Sequence, residues 1–127
     1  MALLVVDASA IAALLFLEPA AETVAAQLEG FDLAAPSLLP YEIANVAAMK
    51  VRRRLMTSAS AAVALKHLGR LDIRLHTVGP AQAFEAASLS GLTAYDGAYL
   101  WLADALGAAI VTRDARLARA ARPGRAR

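Results

Sequence analysis

The sequence contains no cysteine, few aromatic residues (6%, with a single tryptophan) and no long apolar run free of charge. Without cysteine there are no disulfides, thiolate zinc sites or thiol nucleophiles, which agrees with a reducing compartment. Any metal must therefore sit on oxygen or histidine ligands. The longest apolar stretch, residues 8–17, is too short to span a bilayer. Extending it back to Met1 would bury the Asp7 charge at a cost of ~2.5–3.5 kcal/mol near the membrane centre. Residues 1–6 carry no lysine or arginine, so a secretory leader is not expected and the expected location is cytoplasmic, with no membrane partner.

What is present describes one folded domain. A chain of 127 residues can bury a single sizeable core, and 59% apolar against 19% charged residues excludes disorder by composition. No repeat or Gly/Ser linker marks a boundary, so residues 1–121 read as one domain and residues 122–127 as a basic tail. The net charge of +2 hides clustering: Lys50, Arg52, Arg53 and Arg54 form one group, Lys66, Arg70 and Arg74 another, and six arginines crowd the C-terminus. Such clusters suit a polyanionic partner, and equally the solvated faces of helices.

Strand-like and helix-like segments alternate. Residues 3–6 form an apolar, β-branched run, as in a strand covered on both faces. Helix formers fill residues 8–17; Pro19 suits the start of a second helix and Gly30 its end. A second strand is expected over 31–35, then helices over 39–54 and 58–68, the latter stopped by Gly69. Over 72–78, Ile73, Leu75 and Thr77 alternate with Arg74, His76 and Val78, predicting a half-exposed strand near an edge. Helices over 81–89 and 94–106, a buried strand over 109–112 and a last helix over 114–121 complete the pattern. This order predicts an α/β fold: a three-layer α/β/α domain around a central parallel sheet of four or five strands.

On that scheme Asp7, Glu42, Asp96 and Asp114 each stand at a helix N-terminus. Capping or dipole complementation explains any one of them, with Thr93 and Asp96 as a variant capping box. In a parallel sheet, however, such junctions can converge on the edge at the strands' carboxyl ends, where ligands usually bind; Asp7 and Asp114 follow strands directly, and Glu42 and Asp96 would have to reach the same crevice. Two unit charges ~4 Å apart repel by about 4 kcal/mol at an effective dielectric near 20, so four acids sharing one crevice need protons or cations between them. Oxygen ligands point to Mg²⁺, with Mn²⁺ able to substitute.

In their order and spacing these segments resemble the PIN-domain ribonucleases, and among them the VapC-type toxins of bacterial toxin–antitoxin pairs. The resemblance is carried by Val6-Asp7-Ala8-Ser9, Glu42-Ile43-Ala44-Asn45, Tyr95-Asp96-Gly97-Ala98-Tyr99 and Val111-Thr112-Arg113-Asp114, and it covers nearly the whole chain. It implies a Mg²⁺-dependent endoribonuclease acting on structured RNA such as tRNA or rRNA. Asp7, Glu42, Asp96 and Asp114 would form the metal and catalytic site, with Thr112 and Ser9 at polar positions near it. Asn45, on the same helix face as Glu42, would steady that carboxylate or contact substrate.

Setting the four acids aside leaves seven acidic residues against 13 basic ones, a balance of +6 that would attract RNA, with Arg52, Arg53, Arg113 and Arg116 as backbone contacts. The resemblance also implies a homodimer and a cognate VapB-like antitoxin whose C-terminal segment crosses the cleft. Phe16, Leu17, Leu38 and Leu39 are candidates for an apolar groove. One departure concerns the end of the chain, where Arg122 to Arg127 replaces the family's closing hydrophobic strand. A fifth strand is therefore not expected there.

Other roles fit less well. A non-catalytic binding module on the same fold has no need of four acids. An aspartyl-phosphate phosphatase would want a second Asp where Ser9 stands, and a receiver domain a phosphoacceptor after its middle strand. His67, in a polar helical stretch, and His76, on the expected solvent side of its strand, are not read as catalytic. Tyr99, Trp101 and Leu102 read as core or dimer contacts.

Overall fold

A computed structural model describes residues 2–121. Within it the chain runs β1 (Leu3–Val6), α1 (Ala8–Leu15), α2 (Ala21–Leu28), β2 (Asp32–Pro36), α3 (Leu39–Arg52) and α4 (Ser58–Arg70). It continues through β3 (Ile73–His76), α5 (Pro80–Ser90), α6 (Ala94–Leu106), β4 (Ala109–Val111) and α7 (Ala115–Ala120). The strands form one wholly parallel sheet in the order β3-β2-β1-β4. This is the α/β architecture that the alternation of segments predicts.

β1 is central because it is apolar on both faces. Successive strand residues point to opposite sides, yet Leu4, Val5 and Val6 are all essentially inaccessible, so helices must cover both. α6 lies across β1, β2 and β4 and pairs with α5, while α1 packs on α2, α3 and α4. Ile11, Leu39, Ile43, Tyr99, Leu102, Ile110 and Leu117 join the strand residues in one core. No described helix is long and apolar enough to cross a membrane.

Local expectations shift in four places. α2 begins at Ala21 rather than Pro19. Gly69 does not stop α4, which continues to Arg70 with Leu71 as its C-cap; one helical glycine costs only about 1 kcal/mol, and the left-handed stop is absent. β3 does not keep its alternation: Leu75 is 48% exposed, while the ring of His76 is turned inward enough that Nε2 is buried without a partner. Being an edge strand paired only to β2, β3 lacks a second neighbour to hold a strict two-face pattern, and His76 pairs with the fully buried Pro36. Leu39 belongs to the core rather than to a surface groove. The described residues supply four strands; the expectation for 122–127 lies outside them.

Candidate active site

Because the sheet is parallel, the carboxyl ends of β1 and β4 lie side by side, with Val6 in register with Val111. The next residues, Asp7 and Thr112, are therefore neighbours, and among the described residues they are the two buried polar ones. Thr112 donates its hydroxyl proton to Asp7 Oδ2 at 2.5 Å, and Ser9 donates to Oδ1 at 2.7 Å. Ala10 N–H also bonds Oδ1, at 3.0 Å, making Asp7 the N-cap of α1. The same hydroxyls accept from the loop after β4: Arg113 N–H bonds Ser9 Oγ across the two segments at 2.7 Å, and Asp114 N–H bonds Thr112 Oγ1 within that loop at 2.9 Å. With both protons committed to Asp7, the 3.3 Å approach of the two hydroxyls is a contact rather than a further bond.

Replacing Thr112 by Val would remove a donor from a buried carboxylate and leave Asp114 N–H unpaired. Thr112→Val is expected to cost ~1–3 kcal/mol of stability and about 10–100-fold in ion affinity, measured by thermal melting and calorimetry; a variant equal to wild type in both would refute the role of the network.

The other three acids share a different pattern. Glu42, in the first turn of α3, accepts at Oε1 from the Tyr99 hydroxyl of α6 at 2.7 Å. Asp96 forms the expected box with Thr93: its N–H donates to Thr93 Oγ1, which donates back to Asp96 Oδ2, both at 3.1 Å. Asp114 caps α7, its Oδ1 accepting from Arg116 N–H at 2.8 Å and Leu117 N–H at 3.4 Å. Each carboxylate is thus anchored by one oxygen. Among the described residues no hydrogen bond reaches Glu42 Oε2, Asp96 Oδ1 or Asp114 Oδ2.

Their fields overlap. Burial pushes the Asp7 carboxyl above its ordinary value; the bonds from Thr112, Ala10 and Ser9 oppose this, and the Asp114 charge adds to it. Burial also raises Glu42, against its bond from Tyr99 and with the repulsion of Asp7 and Asp96. Burial and the field of Glu42, Asp7 and Asp96 keep the Tyr99 phenol protonated far beyond its usual range.

For Asp7 and Glu42 the folded state holds protons more tightly than the unfolded chain. Their contribution to stability is complete below the ordinary values of 3.8 and 4.5 and is lost as pH rises through the elevated folded values. In a chelator, the melting temperature relative to Asp7→Asn is therefore expected to fall as pH rises above about 4. Mn²⁺ at about a hundred times its Kd is expected to restore ~2.7 kcal/mol at neutral pH. Parallel pH profiles for the two proteins would contradict this.

No group of three or more Asp, Glu or His side chains among the described residues is gathered closely enough to form a ready metal cage. The donor set nevertheless suits a hydrated Mg²⁺, which keeps several waters and takes only one or two carboxylates directly. Glu42, Asp96 and Asp114, each with one open oxygen, beside an Asp7 within the field of Asp114 and Glu42, match that requirement better than they would a dehydrated ion.

The remaining expected residues are placed less uniformly. Asn45 does not steady Glu42; its amide is exposed and faces Met49 Sδ one turn along α3, at 3.7 Å. The partner of Glu42 is instead Tyr99, whose ring lies in the core as its helical spacing suggests while its hydroxyl reaches the site. Its position three residues after Asp96, on the same helix face, is the signal that locates it. Arg113 and Arg116 are exposed beside the network, whereas Arg52 and Arg53 are exposed at the far end of α3. Next to Ser9 and Arg113 an open groove of about 540 Å³ is lined by Ala8, Ala12, Ala13, Ala20 and Val46.

The sequence matches the PIN domain family over residues 4–123. It is 37% identical over 125 residues to Ribonuclease VapC3 of Pyrobaculum aerophilum, covering 91% of this chain and 92% of the relative. It is 32% identical over 116 residues to Ribonuclease VapC12 of Mycobacterium tuberculosis, covering 91% and 90%. Among solved structures, that of PAE2754 from Pyrobaculum aerophilum superposes with a TM-score of 0.76 at 25% identity, covering 98% of this chain and 83% of that one.

Proposed function

The chain belongs to the PIN-domain family, in its VapC-type ribonuclease group, and on that premise we propose that it is a Mg²⁺-dependent endoribonuclease, the toxin of a toxin–antitoxin pair, cutting structured RNA such as tRNA or rRNA. The observation that supports this best is the set of three carboxylates, each with one oxygen tied to the protein and one left open, around a buried Asp7 whose carboxyl burial and the Asp114 charge push above its ordinary value. Asp7, Glu42, Asp96 and Asp114 would hold Mg²⁺ or Mn²⁺ between them. When bound, such an ion lowers the pKa of its water and offsets charge on phosphoryl oxygens.

The chain's own residues prepare that chemistry. Ser9 and Thr112 fix both oxygens of Asp7, Thr93 and Tyr99 fix one oxygen each of Asp96 and Glu42, and the α7 N-terminus orients Asp114. Arg113 and Arg116, exposed at the rim, would bind flanking phosphates and draw RNA to an otherwise repellent site. The largely apolar groove beside Ser9, with Glu18 and Arg113 also in its lining, suits an apolar segment of a VapB-type antitoxin. A homodimer belongs to the same proposal, as does a cytoplasmic location. Exposed Leu89 and half-buried Trp101 line a second open hollow of about 550 Å³, and sedimentation of the purified chain checks the oligomeric state.

The deciding experiment sequences RNA ends after expression of wild type and Asp7→Asn. Discrete new ends with wild type alone support the proposal; identical RNA in both leaves a binding module that does not cut.

A further inference from the structure

We propose that Tyr99 is a positioning residue that pins one oxygen of Glu42, so that Glu42 offers a cation a single oxygen and the site favours Mg²⁺ and Mn²⁺ over Ca²⁺. The inference rests on the metal-dependent proposal above and adds a residue and an ion preference to it.

Tyr99 is 2% exposed, its ring held in the core by α6, so its hydroxyl has little freedom to follow a moving partner. That hydroxyl donates to Glu42 Oε1 at 2.7 Å across two helices separated by 57 residues in sequence. Its partner is a carboxylate, which when ionised can only accept, so the phenol hydroxyl is the donor in this bond. Glu42 is a long, half-buried side chain on a first helical turn. Among the described residues no other hydrogen bond fixes its carboxylate. With Oε1 occupied by Tyr99, only Oε2 is free to turn towards Asp7 and Asp96. Mg²⁺ demands near-octahedral geometry with single oxygens at short distance, whereas Ca²⁺ accepts bidentate carboxylates. Removing the hydroxyl frees both oxygens of Glu42, which weakens the first arrangement and permits the second.

The test titrates Mn²⁺, Mg²⁺ and Ca²⁺ separately into wild type, Tyr99→Phe, Glu42→Gln and the double variant by calorimetry, with thermal melting as the check on folding. Tyr99→Phe is expected to fold, since the ring is unchanged, and to lose about 10–100-fold in Mn²⁺ and Mg²⁺ affinity. Ca²⁺ affinity should fall less, so that the Ca²⁺ to Mg²⁺ ratio rises. In the Glu42→Gln background, adding Tyr99→Phe should leave affinity unchanged, because the hydroxyl acts through that carboxylate alone. Equal losses for all three ions, or additive losses in the double variant, would make Tyr99 a packing residue and overturn the inference. Wild type that binds no Mn²⁺ would remove the metal-dependent proposal itself, whereas wild-type binding that Tyr99→Phe leaves intact would remove only the role of Tyr99. Should Tyr99→Phe fail to fold, Glu42→Asp cuts the same bond from the other end while keeping the charge. The same shift in ion ratio is expected there, and an unshifted ratio overturns the inference.

Discussion

Asp7→Asn is expected to abolish RNA cleavage, by about 10³-fold or more, while raising the melting temperature of the metal-free protein. The two effects have one cause. Asp7 is 6% exposed, and burial opposes its charge more strongly than its three hydrogen bonds support it. Asn is nearly isosteric and keeps the bonds from Ala10 N–H and Ser9 at one oxygen. Its new amide can donate to Thr112 Oγ1, whose own proton then turns to Ser9 Oγ, 3.3 Å away. The network survives and the buried charge does not. Each kcal/mol so relieved moves Tm by about 3–6 °C in a domain of this size. Melting in EDTA beside a cleavage assay provides the check; a destabilised Asp7→Asn would show that the hydrogen bonds outweigh desolvation.

Gly97→Ala is expected to damage the site from behind. Gly97 follows Asp96 in the first turn of α6, where α5 passes so closely that a Cβ would strike Ala83 O and lie 2.9 Å from Ala87 N. Both obstacles are backbone, so no rotamer change can make room; the helices must part. Overpacking of this kind typically costs ~1–3 kcal/mol, and here the displaced turn carries Asp96 and, three residues after it, Tyr99. Loss of more than about 10²-fold in cleavage, with a Tm lowered by several degrees, is the expected result. A variant with full activity would mean that α6 shifts without moving its carboxylate. Gly69→Ala, with nothing near its Cβ, serves as the control in an exposed helix.

Much of this was legible in the residues. An apolar run ending in Asp predicts a buried strand feeding a helix, and the structure makes Asp7 the N-cap of α1 at the end of β1. Thr93 and Asp96 are recognisable as a box from spacing alone. What failed is equally specific. Asn45 shares a helix face with Glu42, but spacing says only that two side chains are neighbours, not which one bonds, and its amide goes to Met49. Tyr99 reads as core because a ring on the buried face of a helix is core; nothing local reveals that its hydroxyl ends on an acid 57 positions earlier. β3 loses its alternation because an edge strand answers to what covers it.

By itself the sequence determined the alternation of strands and helices, the parallel sheet that follows from it, and the acids at the helix starts, since these depend on local periodicity and capping. Only the tertiary structure decided which hydroxyl serves which carboxylate, which oxygen of each acid stays open and how closely α5 approaches Gly97. Those are contacts between segments far apart in the chain, set by packing to a fraction of an ångström, and no local pattern encodes them.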